Sequence, residues 1–252
     1  MELRTKAFPK VNIGLYIGKK TAEGFHELAS IFQKIDCVCD DILIRFEKAQ
    51  KTSITVCGLE DCADSKDNTC YEAARLFLQK SAIEANICIN VEKKIPVKAG
   101  LGGGSSDAAA VLLALQELSG KPLSKQDLMD CAAAVGSDVP FFMQESKAAF
   151  VSGRGEIIHP IKARTDLVFK LYKSSIPKEG TGKAYAKLDA AGLREKLPTE
   201  EKLVSMYNKP VLQWAFENDF EILSKKPEGV NESDGRLYMS GSGDTWYLVT
   251  QG

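Results

Sequence analysis

What the 252-residue sequence lacks narrows its function first. No run of about 18 apolar residues occurs, so no membrane-spanning helix and no membrane partner are expected. The opening MELRTKAFPK has no apolar core of a secretory signal, which reads as a cytoplasmic chain. Charge of one sign is also missing: 33 Lys and Arg face 34 Asp and Glu, for a formal net charge of −1. Without a broad positive field to draw in a phosphate backbone, nucleic acid is not expected as a partner. Histidine is scarce, at two residues. The seven cysteines, Cys37, Cys39, Cys57, Cys62, Cys70, Cys88 and Cys131, form no C-x-x-C pair. Structural zinc and a disulfide framework are therefore disfavoured, and reduced thiols acting in part as small core hydrophobes are expected. Internal repeats and low-complexity tracts are absent.

What remains is an ordinary globular composition, 44% hydrophobic and 27% charged, in a chain long enough to bury a core. Period-two stretches rich in β-branched residues at 11–17, 41–47, 53–57 and 87–91 predict strands. A helix is expected over 69–81 with Asn68 as its cap. A second should begin at Ser105, Ser106 or Asp107 and stop at Gly120 and Pro122; a third should run over 125–135 between Ser124 and Gly136. AAFVSGRGEIIHPI reads as a hairpin turning at Ser152–Gly155. From Asp166 the texture changes to a strand, a glycine-containing loop, a helical stretch with Trp214 and Phe216, and further strands. The expected division is therefore 1–162 and 163–252. Strands and helices do not alternate strictly, so the class is α+β rather than a doubly wound parallel sheet.

The most informative stretch is KIPVKAGLGGGSSDAAAVLLALQELSG, residues 94–120, where four of the five residues 100–104 are glycine immediately ahead of a helix. Helix N-termini present free N–H groups and the positive end of the dipole, and glycine lets backbone wrap closely around an anion. The loop thus reads as a phosphate cradle. It is not a Walker A loop, because Gly104 is followed by Ser105-Ser106-Asp107 with no lysine, and its spacing does not fit G-x-G-x-x-G. A mere flexible link would need one or two glycines. Asp138, before Pro140 in VGSDVPFFM, reads from the residues alone either as a turn cap or as a functional carboxylate.

IPVKAGLGGGSSDAA resembles the second motif of the GHMP kinases, P-x-x-x-G-L-G-S-S-A-A, and its extra glycine is similar to the 4-diphosphocytidyl-2-C-methylerythritol kinase branch. AFPKVNIGLYIGKKTAEGFHELASIFQKID, VGSDVPFFM, NDFE at 218–221 and MSGSGD at 239–244 resemble further segments of that branch, so the likeness runs from about residue 6 to residue 249. It implies two α+β domains, the first like domain 2 of ribosomal protein S5 and the second ferredoxin-like and shortened. The implied activity is ATP- and Mg²⁺-dependent phosphorylation of the 2-hydroxyl of a small molecule carrying a cytidine diphosphate group, by a monomer or weak homodimer.

The resemblance also implies roles. Pro96, Val97, Lys98, Ala99, Gly100, Leu101, Gly102, Gly103, Gly104, Ser105 and Ser106 would wrap the ATP phosphates, with Ser106 a candidate Mg²⁺ ligand. Asp138 matches the family's base and Lys10 the cation beside it, with Asn12 near the reacting hydroxyl. Phe25 and Tyr185 match aromatics stacking on cytosine, and His26 the histidine that hydrogen-bonds it. Asn68 and Lys93 are candidates for the adenine pocket, and Gly241 and Gly243 for a turn beside the phosphates. A kinase of homoserine or mevalonate is the rival within the class, against which Phe25-His26 argues. A non-catalytic nucleotide-binding regulator is the rival outside it, and would have no need of Lys10 and Asp138.

Overall fold

The computed structural model describes residues 1–22, 24–58, 68–174, 180–192 and 194–252. The strands, in chain order, are β1 (Glu2–Ala7), β2 (Lys10–Lys20), β3 (His26–Lys34), β4 (Asp40–Lys48), β5 (Ser53–Cys57), β6 (Ala85–Glu92), β7 (Ala148–Ser152), β8 (Ile157–Ile161), β9 (Leu167–Lys173), β10 (Gly235–Met239) and β11 (Thr245–Gln251). The helices are α1 (Thr69–Ser81), α2 (Gly103–Leu118), α3 (Lys125–Val135), α4 (Val139–Phe142), α5 (Thr181–Ala191) and α6 (Glu200–Tyr207). No described helix is long and apolar enough to cross a membrane. Cys37, Cys39, Cys57, Cys88 and Cys131 are free thiols, Cys131 buried; Cys70 is also buried, and Cys62 lies outside the described residues.

The chain forms two compact units, residues 1–9, 38–97 and 103–145 in one, and 10–37, 98–102 and 146–252 in the other. This grouping cuts across the 1–162 and 163–252 division expected from sequence texture. The reason is long-range contact of the β2–β3 hairpin with residues beyond 163: Tyr247 Oη donates to Asn12 O, Tyr207 Oη donates to Gln33 Oε1, and Leu15 bridges Asn218, so the N-terminal hairpin joins the later part of the chain.

In the first unit the sheet order is β1-β4-β6-β5, with β5 parallel to β6 and the other pairs antiparallel. Alternation decides the faces: Ile42, Ile44 and Phe46 on β4 are buried, as are Ile87, Ile89 and Val91 on β6. Helix α2 packs against β1, β4, α1, α3 and α4. It is apolar almost all round, with Ala108, Ala109, Val111, Leu112, Ala114 and Leu115 buried, as a helix central to its unit must be. Asn68 caps α1 as expected, accepting from Cys70 N and Tyr71 N. Helix α2, however, starts at Gly103, so the serines expected as caps lie within its first turn.

The second unit holds two antiparallel sheets, β2-β3-β7-β8 and β10-β11-β9. Gly14 interrupts the β2–β3 register at φ +74°, where an added Cβ would lie 2.9 Å from both Phe216 and Tyr16 ring atoms. The second sheet, with α5 and α6 between β9 and β10, follows the β-α-β-β part of a ferredoxin-like β-α-β-β-α-β order. Trp214 and Phe216 do not lie on a helix: Pro210 precedes a single 3₁₀ turn at Val211–Gln213, and Trp214 is already extended. The helix of this region comes earlier, as α6, capped by Thr199, and its fully buried Tyr207 donates to Gln33 Oε1 at 2.6 Å.

Candidate active site

The glycine loop is shared between the units, Lys98–Gly102 grouping with the second and Gly103 onward with the first. In the second unit its backbone lies directly against the MSGSG turn joining β10 and β11. A Cβ on Gly100, at φ +79°, would fall 2.3 Å from Ser240 O, and one on Gly243 would fall 2.3 Å from Ala99 C and 2.5 Å from Gly100 N. Only glycine permits that approach. Ser240 Oγ donates to Gly100 O at 3.0 Å, and Lys10 N donates to Leu101 O at 2.9 Å. The turn is held in its own right by Asn218, whose Nδ2 donates to Met239 O (3.0 Å) and Gly241 O (2.9 Å) while its Oδ1 accepts from Phe220 N. This gives the NDFE segment a physical role: Asp219 likewise accepts from Ile17 N at 2.7 Å and pairs with Arg194.

Lys10 and Asn12, two residues apart on β2, point the same way. Lys10 is only 4% exposed, and its Nζ donates to Asn12 Oδ1 at 2.6 Å and to Gly100 O at 3.3 Å, 4.5 Å over the Phe32 ring. Asn12 is fixed in turn: its Nδ2 donates to Ser30 Oγ, and its carbonyl accepts from Tyr247 Oη at 2.8 Å. The cation is therefore pre-aimed at the glycine loop's carbonyl edge rather than solvated on a surface.

In the first unit, α2 opens with Gly103-Gly104-Ser105-Ser106 and has no acidic side chain in its first turn, so its free N–H groups and dipole suit an anion. A Cβ on Gly103 would lie 2.9 Å from Ile95 Cγ2. Gly104 O accepts from Thr69 Oγ1, and the buried Ser106 donates to Phe8 O at 2.7 Å, which fixes the helix start and leaves Ser105 as the half-exposed hydroxyl. Asp138 is also half-buried; it stands at the N-cap position of α4, yet its side chain makes no capping hydrogen bond, which counts against its being a plain turn cap.

Beneath this helix start lies a group the sequence reading missed. Lys93 Nζ sits 2.5 Å from Asp40 Oδ2 and 2.7 Å from Asp107 Oδ2. Asp40 is wholly buried, and its Oδ1 accepts from Lys94 N and Ile95 N at 2.5 and 2.8 Å. Asp107 Oδ1 is buried without a hydrogen bond. Burial, with the Asp40 carboxylate adding to it, lifts the Asp107 carboxyl to about 7 against the pull of Lys93; burial opposes charge on Lys93 too, but its two carboxylates outweigh it and raise its pKa. Lys93, expected at the adenine pocket, thus has its ammonium committed to two carboxylates, and Asn68 has its Oδ1 committed to the α1 cap.

The residues expected at a nucleobase share the second unit. Phe25 is 50% exposed, with the Arg154 guanidinium 4.6 Å from its ring centroid. Tyr185, on α5, stacks on the His26 ring (5.0 Å, 17°) and meets Phe220 edge-on. Asp189, one helical turn after Tyr185, lies 3.2 Å from His26 Nε2 and 2.6 Å from Lys20 Nζ. Neither Arg154 nor Asp189 was singled out from sequence, though the four-residue spacing of Tyr185 and Asp189 on a helix was the available signal. A separate cavity of about 550 Å³, lined by Leu188, Arg194, Glu217, Asp219 and Glu221 among others, contains none of the expected site residues. Among the described residues no group of three or more His, Cys, Asp or Glu could hold a metal ion.

Comparison with known proteins agrees with these motifs. The family model for the GHMP kinases N terminal domain matches residues 68–146. The chain is 41% identical over 175 residues to the 4-diphosphocytidyl-2-C-methyl-D-erythritol kinase of Geobacter metallireducens, an alignment covering 69% of this chain and 61% of that one. It is 33% identical over 262 residues to the protein of the same name from Thermodesulfovibrio yellowstonii, covering 96% and 88%. A crystal structure of 4-(cytidine 5'-diphospho)-2C-methyl-D-erythritol kinase matches with a TM-score of 0.75 at 26% identity, covering 99% of this chain and 91% of that one.

Proposed function

This chain belongs to the 4-diphosphocytidyl-2-C-methyl-D-erythritol kinases of the GHMP kinase superfamily, and from that premise we propose that it transfers the γ-phosphoryl group of ATP to the 2-hydroxyl of 4-diphosphocytidyl-2-C-methyl-D-erythritol, a step of the non-mevalonate route to isoprenoid precursors. The observation that carries the reading is Lys10, buried and held by Asn12 and Gly100 O at the edge of a glycine loop whose backbone only glycine could bring against the Gly241–Gly243 turn.

Phosphoryl transfer requires positioning and charge neutralisation more than covalent help from the protein. The backbone N–H groups from Lys98 to Ser106 suit the β- and γ-phosphates, and glycine at 100, 102, 103 and 104 keeps side chains out of the way. Bound Mg²⁺ would supply further neutralisation of the transferring group. Since the described residues offer no carboxylate cluster for it, its protein ligand would be the half-exposed Ser105 hydroxyl, with Ser106 contributing through a lone pair not used toward Phe8. Asp138 accepts the proton of the attacking hydroxyl, and Lys10 stabilises the oxyanion that forms. Phe25 and His26 provide the face and the edge contact for cytosine. Lys93 and Asn68 act through the shape of the helix starts they hold rather than by touching adenine.

The test is to incubate the protein with Mg-ATP and, separately, with the cytidyl substrate, mevalonate and homoserine, then seek a phosphate mass increment. Phosphorylation of the cytidyl compound alone is expected. Phosphorylation of either other alcohol without it rejects the substrate assignment.

A further inference from the structure

An asparagine amide faces a choice that its shape does not settle: turned over, it exchanges an acceptor for a donor at the same place. Asn12 is buried on β2, with Lys10 Nζ 2.6 Å from one end of its amide and Ser30 Oγ 3.1 Å from the other. An ammonium can only donate, so the oxygen is the end that suits Lys10. A hydroxyl can accept or donate, and where its own proton goes decides which. Ser30, wholly buried on β3, has Gly14 O 2.5 Å from its Oγ, with Ile31 O farther off at 3.4 Å. A carbonyl only accepts, so the Ser30 proton goes to Gly14 O and a lone pair is left facing Asn12.

Gly14 is the extra residue of a bulge in β2. The register passes from Ile13 opposite Ile31 to Leu15 opposite Ser30, with nothing opposite Gly14, whose φ of +74° suits glycine alone. The hydrogen bonds from Asn12 Nδ2 to Ser30 Oγ and from Ser30 Oγ to Gly14 O therefore run one way, from amide to backbone. The Asn12 main chain is held separately, its carbonyl accepting from Tyr247 Oη, so what Ser30 adds is the direction of the amide.

We propose that Ser30 is a positioning residue for phosphoryl transfer: by accepting from Asn12 Nδ2 while donating to Gly14 O, it keeps the Asn12 oxygen toward Lys10 and so aims the ammonium at the oxyanion that forms. The proposal rests on the functional reading above, in which Lys10 stabilises that oxyanion. Without the Ser30 oxygen, Nδ2 is a buried donor with no acceptor, and the amide turns away to find one. Lys10 then loses the fixed partner that holds its Nζ at the glycine loop.

The experiment is steady-state kinetics of the full chain with Mg-ATP and the cytidyl substrate, with the fold of each variant checked by circular dichroism. Ser30→Ala removes the acceptor; Ser30→Cys keeps the core filled but offers a sulfur that hydrogen-bonds weakly. Each should lower kcat about 10- to 100-fold and leave KM for both substrates within about threefold, since Lys10 meets charge that develops in the transition state. In Asn12→Asp the side chain shows Lys10 an oxygen whichever way it turns, so adding Ser30→Ala there should lower kcat by less than about threefold. Near-normal kcat in Ser30→Ala or Ser30→Cys, or a Ser30→Ala loss as large in Asn12→Asp as in the unaltered protein, overturns the inference and leaves the kinase reading intact. If the unaltered protein does not phosphorylate the cytidyl compound, the functional reading falls and the role of Ser30 with it.

Discussion

Replacing Lys93 with Met should cost far more stability than replacing Asp107 with Asn, although both remove one charge from the same buried group. Lys93 sits between Asp40 and Asp107 at 2.5 and 2.7 Å, so once Asp107 ionises the three side chains carry two negative charges against one positive. Lys93→Met strips the only cation and strands two carboxylates in low dielectric, a loss of about 3–5 kcal/mol. Asp107→Asn leaves the Asp40–Lys93 pair neutral and keeps an oxygen able to accept from Lys93. The sign of the pH dependence follows from burial, which with Asp40 lifts the folded Asp107 carboxyl to about 7, above an unfolded value near 4. The folded state then takes up a proton between about pH 4 and pH 7, so stability is lost as pH rises through that window, by at most about 4 kcal/mol. Asp107→Asn should therefore flatten the stability profile across that range and stand within about 1 kcal/mol of the unaltered protein, or above it, near pH 8. Urea unfolding at several pH values between 5 and 8 reads all of this. A Lys93→Met cost under about 1 kcal/mol, or an Asp107→Asn cost above about 3 kcal/mol at pH 8, would refute the electrostatic account.

Asp138→Asn and Lys10→Ala should each lower kcat about 10²- to 10⁴-fold in steady-state assays with the fold retained by circular dichroism; near-normal turnover in either variant removes that residue from the mechanism. Gly243→Ala forces a Cβ to within 2.3 Å of Ala99 C, so thermal unfolding should show a loss of about 1–3 kcal/mol and the KM for ATP should rise. Asn218→Ala strips donors from the carbonyls of Met239 and Gly241 and should cost about 2–3 kcal/mol by urea denaturation, loosening the same turn; an unchanged ATP KM would separate that turn from the phosphates.

Local signals were legible. Asn68 before an amphipathic run gave α1 and its cap, because both lie within a few residues of one another. The glycine loop could be read because steric permission is written in residue type. The start of α2 was misjudged by at least two residues, since Ser105, Ser106 and Asp107 look like caps while the structure lets glycine enter the helix. The contact grouping of β2 and β3 with residues beyond 146 was not legible, because strand pairing across more than a hundred positions leaves no local mark. The Asp40–Lys93–Asp107 group was invisible for the same reason, its members lying 53 and 14 positions apart. Asp189 was within reach, one turn beyond an aromatic already singled out.

The discontinuous make-up of the two units carries a consequence for biosynthesis. The first unit has all its segments once residue 145 has been made, but residues 10–37, which belong to the second, emerge long before the strands that complete their own unit. At ordinary translation rates the β2–β3 hairpin, with Lys10 and His26 on it, must wait about 10–40 s for the last of those segments. During that interval strand β3 has no β7 edge to pair with. The hairpin that bears Lys10 thus carries, while the chain is being made, a strand edge open to the wrong neighbour.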